Sequence, residues 1–289
     1  MYAGLERTFF RPETLSDALD LLKQYGSRAM IVNGGTDAVL HLVEKKTDPE
    51  VIIHVASLPG FHDISVENGI VRLGGGVTYQ EMLTSPVLAE CTGLMAAIRA
   101  LASPPIRVLA TPAGNICTGA PAADCTTILM ALGCTVHLAS SAGERTVPLE
   151  NFYTGTYKTI RQGNELVTHI TFPAPAAGWG TGYCRLSRRK AQDIGKVLIG
   201  ARVLVEEGVI RQAFISLGAL NPYTLRATSL EEALVGKTPE EALSYAAENF
   251  PREAALRESY YTAYKKDVVC PAVTRALEMA LQTRKGAAV

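Results

Sequence analysis

Residues Ala29–Asp37 read AMIVNGGTD: a short apolar run, Met30–Val32, ends in Asn33-Gly34-Gly35-Thr36-Asp37 before a second apolar run begins. That order predicts a buried strand, a tight turn of residues without bulky Cβ groups, and a helix opening on hydroxyl and carboxylate side chains. Glycine takes positive φ at little steric cost and lets a ligand approach the backbone. A helix start leaves N–H groups unpaired, and these suit an anion, phosphate above all. An ordinary strand–turn–helix junction carries the same signature, so the motif needs a companion elsewhere in the chain.

Outward from this stretch, Phe9-Phe10 before Arg11-Pro12 predicts a strand, and Leu15, Ala18, Leu19 and Leu22 predict a helix from a cap at Thr14 or Ser16 to Gly26. Ala38–Val43 reads as a short helix and Val51–Val55 as a strand, which completes a compact βαβ-like unit. Glu67-Asn68-Gly69 predicts a hairpin turn, and Gly74-Gly75-Gly76 leads to Thr78, a good helix cap. Leu88–Leu101 reads as one helix stopped by Ser103-Pro104-Pro105. The stretch Thr111–Ala123 has no periodicity, many small residues and two prolines, so it is expected to be a charge-poor loop that wraps something, with Asp124 capping the next helix. Hairpin strands around Ser141–Gly143 and a strand over Glu165–Phe172 follow.

Ala174–Gly182, with three glycines, a proline and no charge, is the expected domain boundary. Beyond it, Lys196–Val205 and Ile210–Leu217 read as a long antiparallel pair. Ser229 with Glu232 predicts a capping box, Thr238-Pro239 a helix start, and Tyr260–Leu281 a last helix bent or split at Pro271, with a frayed tail over Gln282–Val289. The expected division is residues 1–176 (a first subdomain over 1–57, a second over 58–176) followed by 177–289.

The totals exclude several function classes. With 289 residues, 47% of them apolar and 19% charged, the chain is long enough for two packed domains and too apolar to be disordered. Its 28 basic and 28 acidic side chains cancel, which argues against a nucleic-acid partner. No apolar run approaches the ~20 residues that cross a bilayer, and charges and proline come too early for a secretory signal. A cytoplasmic location is expected. The six cysteines form no C-x-x-C pair, so they read as reduced, mostly buried thiols and any iron–sulfur cluster belongs on a partner. Among the five histidines no two stand at metal-ligand spacing, and His54, His137 and His169 fall in strands, where a structural role is expected. A G-x-S-x-G elbow, a Walker-type lysine and the G-x-G-x-x-G fingerprint are all missing from the sequence. Two glycine-containing loops remain, and two phosphates of one dinucleotide suit two such loops. A nucleotide cofactor in a chain without other catalytic groups would carry the chemistry itself.

Several blocks in order resemble the FAD-binding, or medium, subunit of the molybdenum-containing hydroxylases, the group of xanthine dehydrogenase and carbon monoxide dehydrogenase. Val32–Asp37 is similar to that family's first flavin loop, and Gly74–Thr78 with Glu81 to its second block. Ser103–Arg107 through Asn115, then Ala120–Asp124, is similar to its S-P-x-I-R…G-G-N and S-P-x-x-D segments. Tyr183, Arg185, Arg189, Ala191 and Asp193 match the block opening its C-terminal domain, and Leu217-Gly218, Arg226, Glu232 and Leu234-Val235-Gly236 match a later run.

The resemblance implies an α+β fold: a two-part FAD-binding domain of the vanillyl-alcohol-oxidase type, with a small βαβ subdomain and a larger mixed α/β one, then a C-terminal domain of antiparallel sheet plus helices. It implies FAD as cofactor, held by Val32, Asn33, Gly34, Gly35, Thr36, Asp37, Thr78, Thr111, Ala113, Gly114, Asn115, Ile116, Asp124, Val167, Arg185 and Asp193. Among these, Asp124 would accept from a sugar or ribityl hydroxyl, and Ile116 and Val167 would wall the flavin or adenine or else be plain core. Asp193 would lie near the flavin ring or form a buried salt bridge with Arg189 that ties the domains. The implied partners are an iron–sulfur subunit with two 2Fe–2S clusters and a molybdopterin-binding catalytic subunit, with NAD⁺ or another acceptor taking the electrons.

Departures from the pattern are Asn33 for alanine, Val108 for asparagine, Pro112-Ala113-Gly114 for Ile-Gly-Gly, and Arg185 for lysine. The alanine methyl and the missing proline N–H favour a rival reading, an assembly subunit that kept the fold and lost the flavin. A free-standing flavin oxidase is a third reading, disfavoured by the lack of a candidate substrate base.

Overall fold

The computed structural model describes residues 7–189, 192–256 and 260–284. Its first unit is a three-stranded parallel sheet. β1 (Thr8–Phe10) and β2 (Ala29–Val32) both pair with β3 (Val51–His54), Phe10 opposite Ile53 and Val32 opposite His54. Between β1 and β2 runs α1 (Leu15–Tyr25), capped by the Thr14 hydroxyl, which accepts from the Asp17 N–H at 3.1 Å, and ended at Gly26 with φ 53°. Its apolar spacing puts Ala18 and Leu22 in one small core with Val51, Ile53 and Phe61. By contrast α2 (Ala38–Val43), after the glycine turn, buries none of its residues.

The second unit is built on a five-stranded antiparallel sheet, β4-β5-β10-β6-β7. β4 (Ile64–Glu67) and β5 (Ile70–Gly74) form the expected hairpin, with Asn68 and Gly69 both at positive φ as a two-residue turn requires. Then come α3 (Tyr79–Thr84), α4 (Thr92–Ala100), α5 (Pro104–Arg107), α6 (Pro112–Thr118) and α7 (Asp124–Ala131). The strands β6 (Thr135–Ser140) and β7 (Gly143–Pro148) pair next, followed by the small ribbon β8 (Tyr153–Gly155) and β9 (Lys158–Thr159). The chain returns through the centre as β10 (Leu166–Pro173). The largest core lies between this sheet and α3, α4 and α7, and includes Leu73, Tyr79, Leu94, Ile98, Ile128 and Phe172.

The C-terminal domain is an antiparallel sheet of β11 (Trp179–Leu186), β12 (Val197–Glu206), β13 (Val209–Gly218) and β14 (Leu225–Arg226). The helices α8 (Thr228–Leu234), α9 (Pro239–Glu248) and α10 (Thr262–Gln282) complete it, and its core packs Ile199, Ala201, Val203, Ile215 and Leu217 against Val273, Ala276 and Ala280. This two-domain α+β architecture is the one the resemblance implied.

Five local expectations are corrected. Pro112–Thr118, expected as loop, is helix: Thr111 caps it, Pro112 takes its first position, and Gly119 closes it in the left-handed conformation. The helix expected over Leu88–Leu101 is a single turn at Pro86–Leu88 and a separate helix that starts at Thr92, whose first-turn Gly93 N–H donates to the Thr181 hydroxyl of β11 at 3.0 Å. Trp179–Gly182, assigned to the linker, is the first half of β11. Its glycines are packing residues, since a Cβ on Gly180 or Gly182 would overlap the carbonyls of Ala280 and Ala276 in α10. Ser229 is no capping box with Glu232; its N–H and hydroxyl both donate to the distant Glu253 carboxylate, at 2.7 and 2.8 Å. Finally, of the two outcomes expected at Pro271, bending or splitting, splitting does not occur: α10 runs on through it as one helix. The expected frayed tail lies largely outside the described residues.

Candidate flavin site

Three loops meet beside β2, and Asn33 is where they touch. Its Nδ2 donates to the carbonyl of Gly75 at 2.5 Å and to the Thr111 hydroxyl at 3.1 Å. Gly34 lies so close to the Leu109 backbone that a Cβ there would overlap the Leu109 carbonyl. Gly35 sits at φ 73°, which only glycine takes without strain. One turn further on, the Thr118 hydroxyl of α6 donates to Asp37 at 3.1 Å, and the N–H of Tyr79 donates to Ala110 at 3.0 Å. The turns at residues 34 and 114 therefore converge, with the Gly74–Thr78 segment as a third wall.

What the loops offer is a set of unused hydrogen-bonding groups. Among the described residues the N–H groups of Gly34, Gly35, Thr36 and Asp37 have no acceptor in the chain, and neither has that of Ala113. The Asn33 Oδ1 atom is buried and unpartnered. A row of free N–H groups beside a held-open glycine turn fits a diphosphate, and a buried amide oxygen without a partner fits a ligand donor.

Thr111 works as a scaffold: its hydroxyl accepts from the Gly114 N–H at 3.0 Å while taking the Asn33 amide. Asn115 is fixed from behind, its Oδ1 accepting from the Thr126 hydroxyl at 3.1 Å. The two substitutions that argued against flavin leave the surface intact. Pro112 stands where a helix has an unpaired N–H in any case, and the Ala113 methyl points into the core with the residue 6% exposed.

Other expected residues are placed differently. Thr78 closes a capping box with Glu81 through both its N–H and its hydroxyl, so its polar atoms are engaged locally. Val32 is buried at the end of β2, and Ile116 and Val167 are sealed in core, so none of the three side chains offers a wall to a ligand. Asp124 is not a cap but the first residue of α7. Its Oδ1 accepts from the Tyr183 hydroxyl at 2.7 Å and from Arg185 Nε at 2.8 Å, both on β11. Burial raises the Asp124 pKa, and Tyr183 and Arg185 offset only part of that rise.

Asp193 does not tie the domains together. Its side chain accepts from the N–H groups of Arg188, Arg189 and Ile194 and pairs with the Arg188 and Arg189 guanidinium groups, so it pins its own loop. The Arg188 side chain is the largest cause that holds the Asp193 carboxyl well below the usual range. Its carbonyl accepts from Arg185, which links this loop to Asp124. Ala191 of the same block lies outside the described residues.

Leu109, Gly75, Thr118 and Tyr183 were missed as site-forming residues. The signal for Gly75 was present in the triple glycine, but nothing local marks Leu109 or Thr118, whose role depends on which loop they meet.

Comparison with known proteins gives the family. The family described as "FAD binding domain in molybdopterin dehydrogenase" matches residues 5–175, and "CO dehydrogenase flavoprotein C-terminal domain" matches residues 182–280. The chain belongs to the FAD-binding flavoprotein subunits of the molybdopterin dehydrogenases. Among its relatives, the nicotinate dehydrogenase FAD-subunit of Eubacterium barkeri is 30% identical over 234 residues, 79% of each chain. The carbon monoxide dehydrogenase medium chain of Hydrogenophaga pseudoflava is 28% identical over 242 residues, 83% of this chain and 84% of that one. A chain in the structure of that organism's carbon monoxide dehydrogenase, in a form lacking the Mo-pyranopterin moiety of its cofactor, superposes with a TM-score of 0.89, covering 96% of this chain and 98% of that one at 28% identity. Among the described residues no helix is long and apolar enough to cross a membrane.

Proposed function

We propose that this chain is the FAD-carrying electron-transfer subunit of a multi-subunit molybdenum hydroxylase. On this reading a molybdopterin-binding partner oxidises the substrate and an iron–sulfur partner with two 2Fe–2S clusters delivers electrons. NAD⁺ or another acceptor receives them. When bound, FAD supplies the redox chemistry, exchanging electrons singly on one side and in pairs on the other. The chain's own residues bind and orient. The free N–H groups of Gly34, Gly35, Thr36, Asp37 and Ala113 donate to the diphosphate, Asn33 fixes the turn and offers its Oδ1 to a hydroxyl, and Thr111 and Asn115 hold the second loop in place. No side-chain nucleophile is required, in keeping with the sequence.

The observation that carries this reading is the convergence of three loops on Asn33 around unused N–H groups. It also weighs against the rival, a flavin-free assembly subunit, because Pro112 and Ala113 take nothing from the surface. An absorbance scan of the purified full-length chain, after incubation with FAD and removal of the excess, tests it: visible flavin bands in stoichiometric amount are expected. A folded protein without those bands overturns the assignment and leaves the assembly role. Adding NADH to the loaded protein then tests the acceptor, since bleaching is expected if NAD⁺ is the physiological partner and dye-only reduction if it is not.

A further inference from the structure

A cavity away from the flavin loops opens between the domains. Its volume is about 320 Å³, and its walls include Leu132, Pro173, Ala174, Pro175, Trp179 and Arg202. Arg202 lies on β12, opposite Thr181 of β11 and Phe214 of β13, on the face turned toward the first domain. The residue is only 8% exposed, yet among the described residues no carboxylate lies within ion-pair distance of it.

Three contacts hold the guanidinium, one of them the Phe214 ring with its centre 5.6 Å from the guanidinium carbon. Its Nη1 donates to the Leu132 carbonyl at the end of α7, at 3.2 Å, and its carbon lies 3.8 Å from the centre of the Trp179 ring. A helix C-terminus and an aromatic face both favour a cation, but neither neutralises it. An arginine carries five N–H donors, and only one is used here. The unused nitrogens are not sealed in protein, since no Arg202 atom is both buried and unpartnered, so they face the cavity. Burial pushes the Arg202 guanidinium down to about 10, which leaves it charged at neutral pH. Two other arginines near the junction each have an anion: Arg185 has Asp124, and Arg226 has Glu231.

We propose that this interdomain cavity is a binding site for a small monocarboxylate with an apolar body, its carboxylate on the free edge of Arg202 and its hydrocarbon against Leu132, Pro173, Ala174 and Trp179. A planar carboxylate matches the guanidinium fork. One cation among apolar walls neutralises one charge, so a phosphate dianion is disfavoured. The site touches α7 on one side and β11 and β12 on the other, so its occupant braces the two domains. Nothing in this assignment depends on flavin binding.

Trp179 is the chain's only tryptophan, and its fluorescence therefore reports the cavity directly. The experiment titrates the full-length chain with cyclohexanecarboxylate and, in parallel, with the uncharged cyclohexanecarboxamide. A saturable change in Trp179 emission is expected with the carboxylate, at least about tenfold weaker with the amide and about tenfold weaker again in Arg202→Gln. Because Arg202→Gln also removes a buried contact, Ala174→Leu gives a second arm: it fills the cavity, leaves Arg202 in place, and should abolish the response at unchanged circular dichroism. Equal response to acid and amide overturns the proposal, as does an unaltered titration in Ala174→Leu or an absence of saturation at tens of millimolar carboxylate.

Discussion

Asn33 illustrates how one side chain can organise a site that no single segment contains. Its amide joins β2, the Gly75 segment and the Thr111 cap, while its own oxygen is left over. In the sequence it reads as a member of the first flavin loop and a departure from alanine, with nothing to mark the loops it joins. Replacing it with alanine removes two hydrogen bonds and strands the acceptors behind them, so Asn33→Ala should lower stability by about 1–3 kcal/mol in urea unfolding. The same variant should weaken FAD by roughly tenfold, read by titration of flavin fluorescence. Gly34→Ala should be worse, because its Cβ would overlap a backbone carbonyl and the loops would have to part. A Gly34→Ala protein that binds FAD as the parent does would show that this contact gives way cheaply.

Among the elements, α8 shows a cap supplied from far along the chain. Glu253 accepts from Ser229 N–H, Ser229 Oγ and Thr228 Oγ1, and thereby replaces the local capping box. Glu253→Ala should cost about 1–2 kcal/mol, whereas Glu232→Ala should change the unfolding midpoint very little. The pairing of β6 with β10 has a different consequence. It sets His137 opposite His169, with ring centres 3.9 Å apart. Burial, then the neighbouring His137 and Arg72, pushes His169 down from 6.5 to about 4. The unfolded chain thus takes up its proton near pH 6.5 while the folded one resists it until about pH 4. Stability is complete above that window and falls as pH drops through it. Thermal midpoints measured from pH 7 to 4 should decline, and His169→Thr should flatten the decline; the slope that remains belongs to His137, which burial also lowers.

At the level of the whole molecule, Asp124 stands at the junction of the two domains. The sequence reading gave it to a cofactor hydroxyl; the fold gives its Oδ1 to Tyr183 and Arg185 across the domain junction. Both side chains of the ion pair are mostly buried, so removing one charge strands the other. Asp124→Ala should cost about 3–5 kcal/mol, and the double variant Asp124→Ala with Arg185→Leu should cost clearly less than the sum. Denaturant unfolding of the four proteins in the cycle reads the coupling directly. Additive losses would mean that the pair contributes nothing to joining the domains. The junction is reinforced by Ser216, whose hydroxyl donates to the Thr127 carbonyl at 2.6 Å, and by Tyr183 and Leu198, which enter the core of the first domain.

The sequence by itself determined the elements whose signals are local. Thr14 and Gly26 bound α1, Asn68-Gly69 turns the first hairpin, Thr238-Pro239 starts α9, and the ordered blocks from Val32 to Asp193 identify the family. Each of these depends on residues a few positions apart, where spacing and φ preference act directly. Only the tertiary structure decided which residues meet across long separations. It turned Pro112–Thr118 into a helix, gave the cap of α8 to Glu253, pressed Gly180 and Gly182 against α10, and left Arg202 between the domains with no carboxylate beside it among the described residues. Those outcomes rest on close packing and on the cost of burying polar groups, and both depend on neighbours that chain order does not name.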